Sequence, residues 1–169
     1  MRQRFGEFCK NYGRDLKMKI EPGRYVIGPA GTLLATVTNI TETPTKKFVG
    51  IDTGFNHLMR PMMYGSYHRI VNASKMDAPK EIVAVAGNIC ESGDVFTGKG
   101  PDAIRKIGDP EIGDCIAILD TGAYGLSMAS QYNLRELPAE ILVKNKNVEM
   151  IRRRQKFGDL VVNFNWFDK

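Results

Sequence analysis

The sequence predicts a mainly β domain, either a β-barrel or a β-sandwich, preceded by one helix. Beyond residue 31, short runs of strand-forming residues alternate with stretches rich in Gly, Pro and Asn, which is typical of these two architectures. Residues 2–14 instead repeat apolar side chains at helical spacing. The predicted strands are 33–40, 47–51, 67–71, 81–89, 114–119, 139–143 and 148–153.

The helix is predicted from four apolar side chains near the start of the chain. Phe5, Phe8, Cys9 and Tyr12 occur at positions i, i+3, i+4 and i+7, the spacing that puts side chains on one helix face. Gly13 follows them and can end a helix in the left-handed conformation. We therefore expect an amphipathic helix with Cys9 on its apolar side.

A short strand is predicted to follow this helix. Leu16, Met18 and Ile20 alternate with lysines, and a period of two is typical of strands. The run ends at a charged turn, residues 21–24. A helix, a strand and a polar loop follow one another in this order at the end of a (β/α) barrel, so we expect the chain to begin inside a larger domain.

Composition limits the class of protein. With 169 residues, 43% of them hydrophobic, the chain is long enough for one domain with its own core. Its three cysteines form no CxxC pair, which argues against a disulfide framework or zinc site and favours a reducing compartment. No apolar run reaches membrane-spanning length and the N-terminal residues do not resemble a secretory signal, so a cytoplasmic location without membrane attachment is expected.

Three further residues are given structural interpretations. His57 and His68 have no metal-ligand spacing, and we interpret them as a loop residue and a strand-edge residue. Cys115 lies within an apolar run and is expected in the core. The sequence therefore predicts no metal site.

The net charge of +5 raises the alternative of a nucleic-acid-binding domain. The longest basic run is Arg152–Arg154, and it lies in a segment of nearly alternating polarity. We interpret this run as a solvated strand face rather than a nucleic-acid patch.

A turn with reactive side chains follows the apolar residues 82–86. It contains Cys90, Glu91 and Asp94, and a strand end holds loop side chains at a rigid rim, where chemistry is often placed. Taken alone, these residues favour a simpler interpretation, a half-buried cysteine beside a solvated turn.

Two stretches place an arginine where it could bind an anion. Glu21 and Arg24 flank a Pro–Gly turn, which points both side chains from one corner; the alternative is a surface ion pair. Arg60 and Tyr64 are four residues apart, so a short helix would place them on one face as an anion clamp. In the alternative, Arg60 extends over methionines that fill the core.

A third stretch follows the predicted strand 114–119. Gly122 and Gly125 flank Tyr124, and such glycines let the backbone approach a ligand while the hydroxyl donates a hydrogen bond. The same residues also fit a β-turn with a packing tyrosine.

Together, these motifs resemble the C-terminal half of the diaminopimelate decarboxylase family. The resemblance runs from about residue 16 to residue 154, with the motifs in the same order and at similar spacings. The motifs are residues 21–24, 52–56 with 60–65, 90–94 and 122–125. The resemblance implies dependence on pyridoxal 5'-phosphate, an alanine-racemase-like fold with an N-terminal (β/α)8 barrel and a C-terminal β-barrel, and conversion of meso-diaminopimelate to L-lysine and carbon dioxide.

On the cofactor side, the resemblance implies roles for four residues. Glu21 would be the partner of the pyridine nitrogen and keep it protonated. Gly23 and Arg24 would lie beside the cofactor in the same motif. Tyr124 would reach both the cofactor and the substrate.

On the substrate side, the resemblance implies that Arg24, Arg60 and Tyr64 hold carboxylates and that Glu91 holds the distal amino group. Tyr124 would also contact the substrate. Cys90 would be the acid that protonates the carbanion, since cysteine thiols are mostly protonated at neutral pH. In the family this cysteine comes from the second subunit of a homodimer, so the partner would be another copy of the chain.

The resemblance also implies what is missing. The Schiff-base lysine and the glycine-rich phosphate loop belong to the family's barrel, and no lysine here lies in a matching motif. We expect residues 1–31 to be a remnant of that barrel and residues 32–169 to form the C-terminal β-barrel domain. We therefore expect the chain alone neither to bind the cofactor covalently nor to decarboxylate a substrate.

Two other interpretations stay open. One is a decarboxylase of the same fold for ornithine, arginine or carboxynorspermidine, although Arg60 and Glu91 favour a substrate with a second carboxylate. The other is a module without catalytic activity, which would either form dimers or bind nucleic acid with an affinity that falls steeply with salt.

Overall fold

The computed structural model describes residues 2–98, 100 and 102–165. Within them, eight strands form two sheets, accompanied by four α-helices and three single turns of 3₁₀-helix. The strands are β1 (Thr32–Glu42), β2 (Lys47–Ile51), β3 (Ile70–Asn72), β4 (Lys80–Ala86), β5 (Arg105–Gly108), β6 (Cys115–Leu119), β7 (Glu140–Lys144) and β8 (Asn147–Arg152). The helices are α1 (Arg2–Tyr12), α2 (Gly23–Ile27), α3 (Arg60–Tyr64) and α4 (Phe157–Val161), and the 3₁₀ turns are Gly28–Ala30, Leu126–Met128 and Tyr132–Leu134.

Six strands form a nearly closed barrel, which confirms one of the two predicted architectures. Their order is β3-β6-β1-β2-β4-β5, and the neighbours are antiparallel except for the parallel pair β2 and β4. The end strands β3 and β5 lie side by side. At this seam the side-chain amide of Asn72 donates to the carbonyl of Gly108 at 3.4 Å, so a side chain bridges the gap between the two edges.

The barrel core follows from the alternation of side chains along the strands. In β1, Ala35 and Val37 point inward and are 5% and 1% exposed. Leu34 points to the other face and is 61% exposed. The antiparallel pairing of Ala35 with Ile116 puts the inward positions of β1 and β6 on the same face. The core consists of Ala35, Val37, Val49, Ile51, Leu58, Ile70, Val83, Val85, Phe96, Ile107, Ile116 and Ile118.

Most predicted strands are present, with shifts at their ends, and one strand was missed. β5 was missed because its residues are mainly charged or glycine, and Ile107 alone carries the apolar signal. The fourth predicted strand ends early, at Ala86, since residues 87–89 turn away to enter the loop that follows.

The strand predicted before Glu21 is wrong. Residues 15–22 have no regular secondary structure, because alternation alone cannot make a strand without a neighbouring strand to accept its hydrogen bonds. The predicted turn at residues 21–24 is also different, since Gly23 already starts α2. In contrast, α1 and the left-handed Gly13, with φ of 74°, are as predicted.

The described part of the chain leaves many apolar side chains exposed outside the barrel. α1 buries none of its residues. The hairpin of β7 and β8 exposes apolar side chains on both of its faces, namely Ile141, Leu142, Val143, Val148, Met150 and Ile151.

No helix in the described residues is long and apolar enough to cross a membrane. The domain boundary at residue 31 stays a prediction, and residues 166–169 of the second domain lie outside the described residues.

We predict that Ile116→Ala lowers the free energy of unfolding by about 2–5 kcal/mol, because it removes methyl groups from the closed core and leaves a cavity. Ile116 is completely buried, and Ile112, which is 69% exposed, offers a matched control. Ile112→Ala should change the free energy by less than about 0.5 kcal/mol. Urea denaturation of both variants is the measurement, and equal effects would contradict the barrel core described above.

Candidate functional site

α3 places Arg60 and Tyr64 on one face, as predicted. The helix ends because Gly65 adopts a left-handed conformation, with φ of 61°, and its N–H donates to the carbonyl of Pro61 at 3.1 Å. Residues four apart in a helix are neighbours, and the Arg60 guanidinium carbon lies 5.3 Å from the centre of the Tyr64 ring.

Tyr124 joins this pair from a different part of the chain. The Arg60 guanidinium carbon is also 5.3 Å from the centre of the Tyr124 ring, so the cation lies between two aromatic faces. A guanidinium nitrogen of Arg60 donates to the Ser66 hydroxyl at 3.2 Å. The Nε of Arg60 is buried and has no hydrogen-bond partner among the described residues.

The start of α2 completes the cluster. A Cβ atom on Gly23 would lie 2.9 Å from the Tyr124 hydroxyl oxygen, so the absence of a side chain at Gly23 makes room for that hydroxyl. On the same segment, Gly28 accepts a hydrogen bond from the N–H of Gly122 at 3.0 Å. A Cβ on Gly122 would lie 2.2 Å from the carbonyl oxygen of Ile27, which explains why this contact requires glycine.

Arg24 follows Gly23 in α2, and its positive charge, like that of Arg60, lowers the pKa of the buried His68. We call Gly23, Arg24, Arg60, Tyr64 and Tyr124 the arginine cluster. Five of the predicted site residues are thus brought to one region. Glu21 is exposed, with no side-chain hydrogen bond or ion pair among the described residues.

The turn that contains Cys90 is built around a carboxylate that the sequence did not distinguish. Asp94 is 4% exposed, and its two carboxylate oxygens accept hydrogen bonds from the backbone N–H groups of Phe55 at 2.7 Å and Ile89 at 2.9 Å. Burial raises the pKa of Asp94, against the lowering effect of these two hydrogen bonds. Asp94 therefore holds two loops together, and Glu91 is the other carboxylate of this turn.

Close packing around Asp94 explains two glycines. A Cβ on Gly87 would lie 2.2 Å from an Asp94 carboxylate oxygen, and a Cβ on Gly54 would lie 2.3 Å from the Ile89 side chain. Both glycines let loops 52–56 and 87–94 meet without a gap. Asp94 carries no sequence signal for this role, because an acidic residue after glycine is typical of a solvated turn.

The turn that contains Cys90 and Glu91 packs on α3 through Gly93. Cys90 is exposed, and the Glu91 carboxylate accepts from the Gly93 N–H at 2.9 Å. Gly93 packs on Met62, whose side-chain carbons would lie 3.3 Å from a Cβ at that position. Met62 is two residues from both Arg60 and Tyr64, so it points to the opposite face of the helix.

Both histidines are more deeply placed than the sequence indicated. His57 bridges two loops, with Nδ1 2.7 Å from the Thr53 hydroxyl and Nε2 2.9 Å from the carbonyl of Glu136, and burial lowers its pKa. His68 lies two residues before β3, an end strand of the sheet, but it is only 1% exposed. No group of at least three His, Cys, Asp or Glu residues among those described could hold a metal ion.

Two other interpretations from the sequence need correction. Cys115 is only half-buried, because it is the first residue of β6 rather than a central one. The basic run is not a uniform strand face: Arg152 ends β8 and binds Glu140 at 2.8 Å, while Arg153 forms a bidentate pair with Asp159 at 2.6 and 2.8 Å. These ion pairs neutralise two of the three arginines.

Comparison with known proteins identifies what the chain is similar to. The family model described as "Pyridoxal-dependent decarboxylase, C-terminal sheet domain" matches residues 24–122. The diaminopimelate decarboxylase of Methanothermobacter thermautotrophicus is 48% identical over 159 residues, which are 93% of this chain and 36% of that protein. The chain therefore spans little more than a third of the length of this relative.

Solved structures agree with this likeness. A crystal structure of diaminopimelate decarboxylase from M. jannaschii in complex with L-lysine superposes with a TM-score of 0.80 at 42% identity, covering 95% of this chain and 36% of that one. A carboxynorspermidine decarboxylase from Campylobacter jejuni, complexed with norspermidine, superposes with a TM-score of 0.67 at 23% identity, covering 90% and 43%. The latter likeness shows the fold alone.

We predict that Asp94→Asn lowers the free energy of unfolding by about 1–3 kcal/mol at neutral pH. An amide has one oxygen, so one of the two backbone N–H groups would lose its acceptor inside the protein. Asp77→Asn is the control, since Asp77 is exposed. Chemical denaturation measures both, and a neutral effect of Asp94→Asn would contradict the proposed link between the two loops.

Because the pKa values of His57 and His68 are lowered, we predict that the protein loses stability in weak acid. Their pKa values are lowered in the fold from 6.5, so the unfolded chain binds protons more readily. This contribution is present above about pH 6.5 and decreases as the pH falls. His57→Gln, which does not titrate, should show a smaller decrease between about pH 7.5 and 5.5. Parallel urea titrations test this expectation, and identical pH slopes for the two proteins would refute it.

Proposed function

Because the chain belongs to the pyridoxal-dependent decarboxylase family and matches its C-terminal sheet domain, we propose that it is the C-terminal part of a cytoplasmic diaminopimelate decarboxylase. Such an enzyme converts meso-diaminopimelate to L-lysine and carbon dioxide with pyridoxal phosphate. The observation that carries the proposal is the arginine cluster, in which Arg60 lies between the rings of Tyr64 and Tyr124.

The arginine cluster fits a cofactor and a carboxylate substrate. The only side-chain hydrogen bond of Arg60 among the described residues goes to Ser66, so other N–H groups of its guanidinium are available to bind an anion. Gly23 lets the Tyr124 hydroxyl come close to the backbone at the start of α2, beside the motif of Glu21 and Arg24. When bound, pyridoxal phosphate supplies the electron-withdrawing ring that makes loss of carbon dioxide from the α-carbon possible.

The remaining chemistry would come from side chains of this chain. Arg24 and Arg60 would bind the carboxylates through charge-assisted hydrogen bonds. The hydroxyls of Tyr64 and Tyr124 would orient the bound molecules by hydrogen bonding. Glu21, which is exposed and free to turn, would keep a proton on the ring nitrogen of the cofactor.

The proton donor would come from a second copy of the chain. The turn that contains Cys90 packs through Gly93 on Met62, which points away from Arg60, and this favours a site shared between two chains. In a homodimer, the Cys90 thiol of one subunit would donate its proton to the α-carbon of a substrate bound by the other. Glu91 beside it would bind the distal ammonium group and select for diaminopimelate.

The chain would act only together with a barrel domain. It spans 36% of the relative from M. thermautotrophicus, and the exposed apolar residues of α1 and α2 suit packing against further structure. These include Phe8, Tyr12, Tyr25 and Val26. The Schiff-base lysine would belong to that barrel, so the chain alone should release no carbon dioxide.

To test the function, the barrel portion of the M. jannaschii relative can be fused to this chain and lysine formation measured. The fused enzyme should be active, whereas the unfused chain should not. Cys90→Ala should lower kcat by about 10²–10⁴-fold because it removes the proton donor. Cys9→Ala is the matched control, since Cys9 lies on α1, and it should retain activity. An inactive fusion that is folded and binds cofactor would contradict the proposal.

Mixed dimers of the same fusion test the shared site. Cys90→Ala and Arg60→Ala subunits should each be inactive alone. In a random mixture, half of the dimers would contain one intact site out of two, so activity should return to about a quarter of the wild-type value. If Cys90 and Arg60 act within one subunit, mixing will restore nothing.

A further inference from the structure

His68 is buried but has only one of its two ring nitrogens satisfied. Its Nδ1 lies 2.9 Å from the carbonyl oxygen of Leu119. A carbonyl can only accept, so Nδ1 carries the hydrogen and Nε2 of the neutral ring is an acceptor. Nε2 is buried without a hydrogen-bond partner among the described residues.

The surroundings of His68 keep the ring neutral. Burial and the positive charges of Arg24 and Arg60 lower the pKa of His68, against the raising effects of the Leu119 carbonyl and of Asp120. A neutral ring fixed by Leu119 cannot donate from Nε2. The environment therefore presents a permanent acceptor close to two guanidinium groups.

Arg60 carries an unpaired donor that could bind this acceptor. Its Nε is a buried donor without a partner among the described residues, although another of its nitrogens binds Ser66. Buried donors and acceptors nearly always find partners in folded proteins. Arg60 binds Ser66 through both its guanidinium and its carbonyl oxygen, and Ser66 is two residues before His68. The unpaired donor of Arg60 and the unpaired acceptor of His68 therefore belong to neighbouring parts of the chain.

We propose that His68 is a positioning residue whose Nε2 accepts a hydrogen bond from the Arg60 guanidinium through one water molecule. This contact holds Arg60 between Tyr64 and Tyr124 in the orientation that receives a carboxylate. The proposal rests on the proposed function, because it concerns the arginine that would bind the substrate. It also connects the cluster to Leu119, where β6 ends and the Tyr124 loop begins.

Nitrogen-15 NMR of the histidine side chains in this chain tests the contact without any activity. His57 and His68 are the two histidines of the sequence, so His57→Gln assigns both. His68 should show a protonated Nδ1 and an unprotonated Nε2 throughout the neutral range. Arg60→Gln should shift the Nε2 resonance of His68 and leave His57 unchanged. A His68 ring protonated on Nε2, or one indifferent to Arg60→Gln, would overturn the proposal.

Arg135→Gln is the matched control for the NMR experiment. It also removes one positive charge, but Arg135 acts on His57 rather than on His68. It should therefore shift the His57 resonances and leave those of His68 in place. If Arg135→Gln moves His68 as much as Arg60→Gln does, the effect is a general response to charge and the proposal fails.

Two substitutions at His68 separate positioning from a purely structural role. The amide of asparagine reaches the Nδ1 position and can keep the bond to Leu119, while that of glutamine reaches the Nε2 position and can accept from Arg60. In the fused enzyme, His68→Asn should raise KM about tenfold with a smaller change in kcat, and His68→Gln should stay within about threefold. The reverse order would show that only the Leu119 bond matters and would refute the proposal. An inactive fusion would refute the function, while the NMR result would still decide on His68.

Discussion

The buried carboxylate of Asp94 is the contact on which the geometry of the candidate site depends. Its two oxygens accept from the backbone of Phe55 and Ile89, and these residues belong to the loops that lead into α3 and into the Cys90 turn. A charged group is costly to bury unless its acceptors are filled. Here, two short hydrogen bonds offset part of that cost and fix both loops relative to the barrel.

The position of α3 follows from this arrangement. On one face its Arg60 contacts Tyr64 and Tyr124, while on the other Met62 packs on Gly93 of the Cys90 turn. A helix of five residues thus separates the groups proposed to bind carboxylates from the thiol proposed to give the proton. A site shared between two chains, as proposed above, would bring these groups together.

Local patterns were sufficient to predict much of the fold and the helix face that Arg60 and Tyr64 share. Alternating apolar residues located most of the strands, and the spacing of Arg60 and Tyr64 placed them on one helix face, as the structure confirms. The choice of barrel over sandwich depended on the pairing of distant strands, which no local pattern contains. The roles of all the site residues stay predictions, since the cofactor, the substrate and the other parts of the assembly would supply their partners.

The structural roles of two buried residues could not be identified from the sequence. Asp94 and His68 are polar residues that act from buried positions, and their burial is decided by tertiary packing rather than by neighbouring residues. The predicted strand before Glu21 failed for the related reason that its pattern had no partner strand. Sequence patterns therefore located exposed groups that can act on a ligand better than the buried groups that hold them in place.

The parallel pairing of β2 with β4 has a consequence for how the protein folds. These strands are joined by residues 52–79, which contain α3 and β3, so the pair can form only after this long segment has been closed into a loop. Contacts between residues distant in sequence slow folding because chain entropy is lost before the contacts form. We expect the barrel and the arginine cluster to form in the same slow step, so that Arg60 gains its surroundings only when the whole barrel is complete.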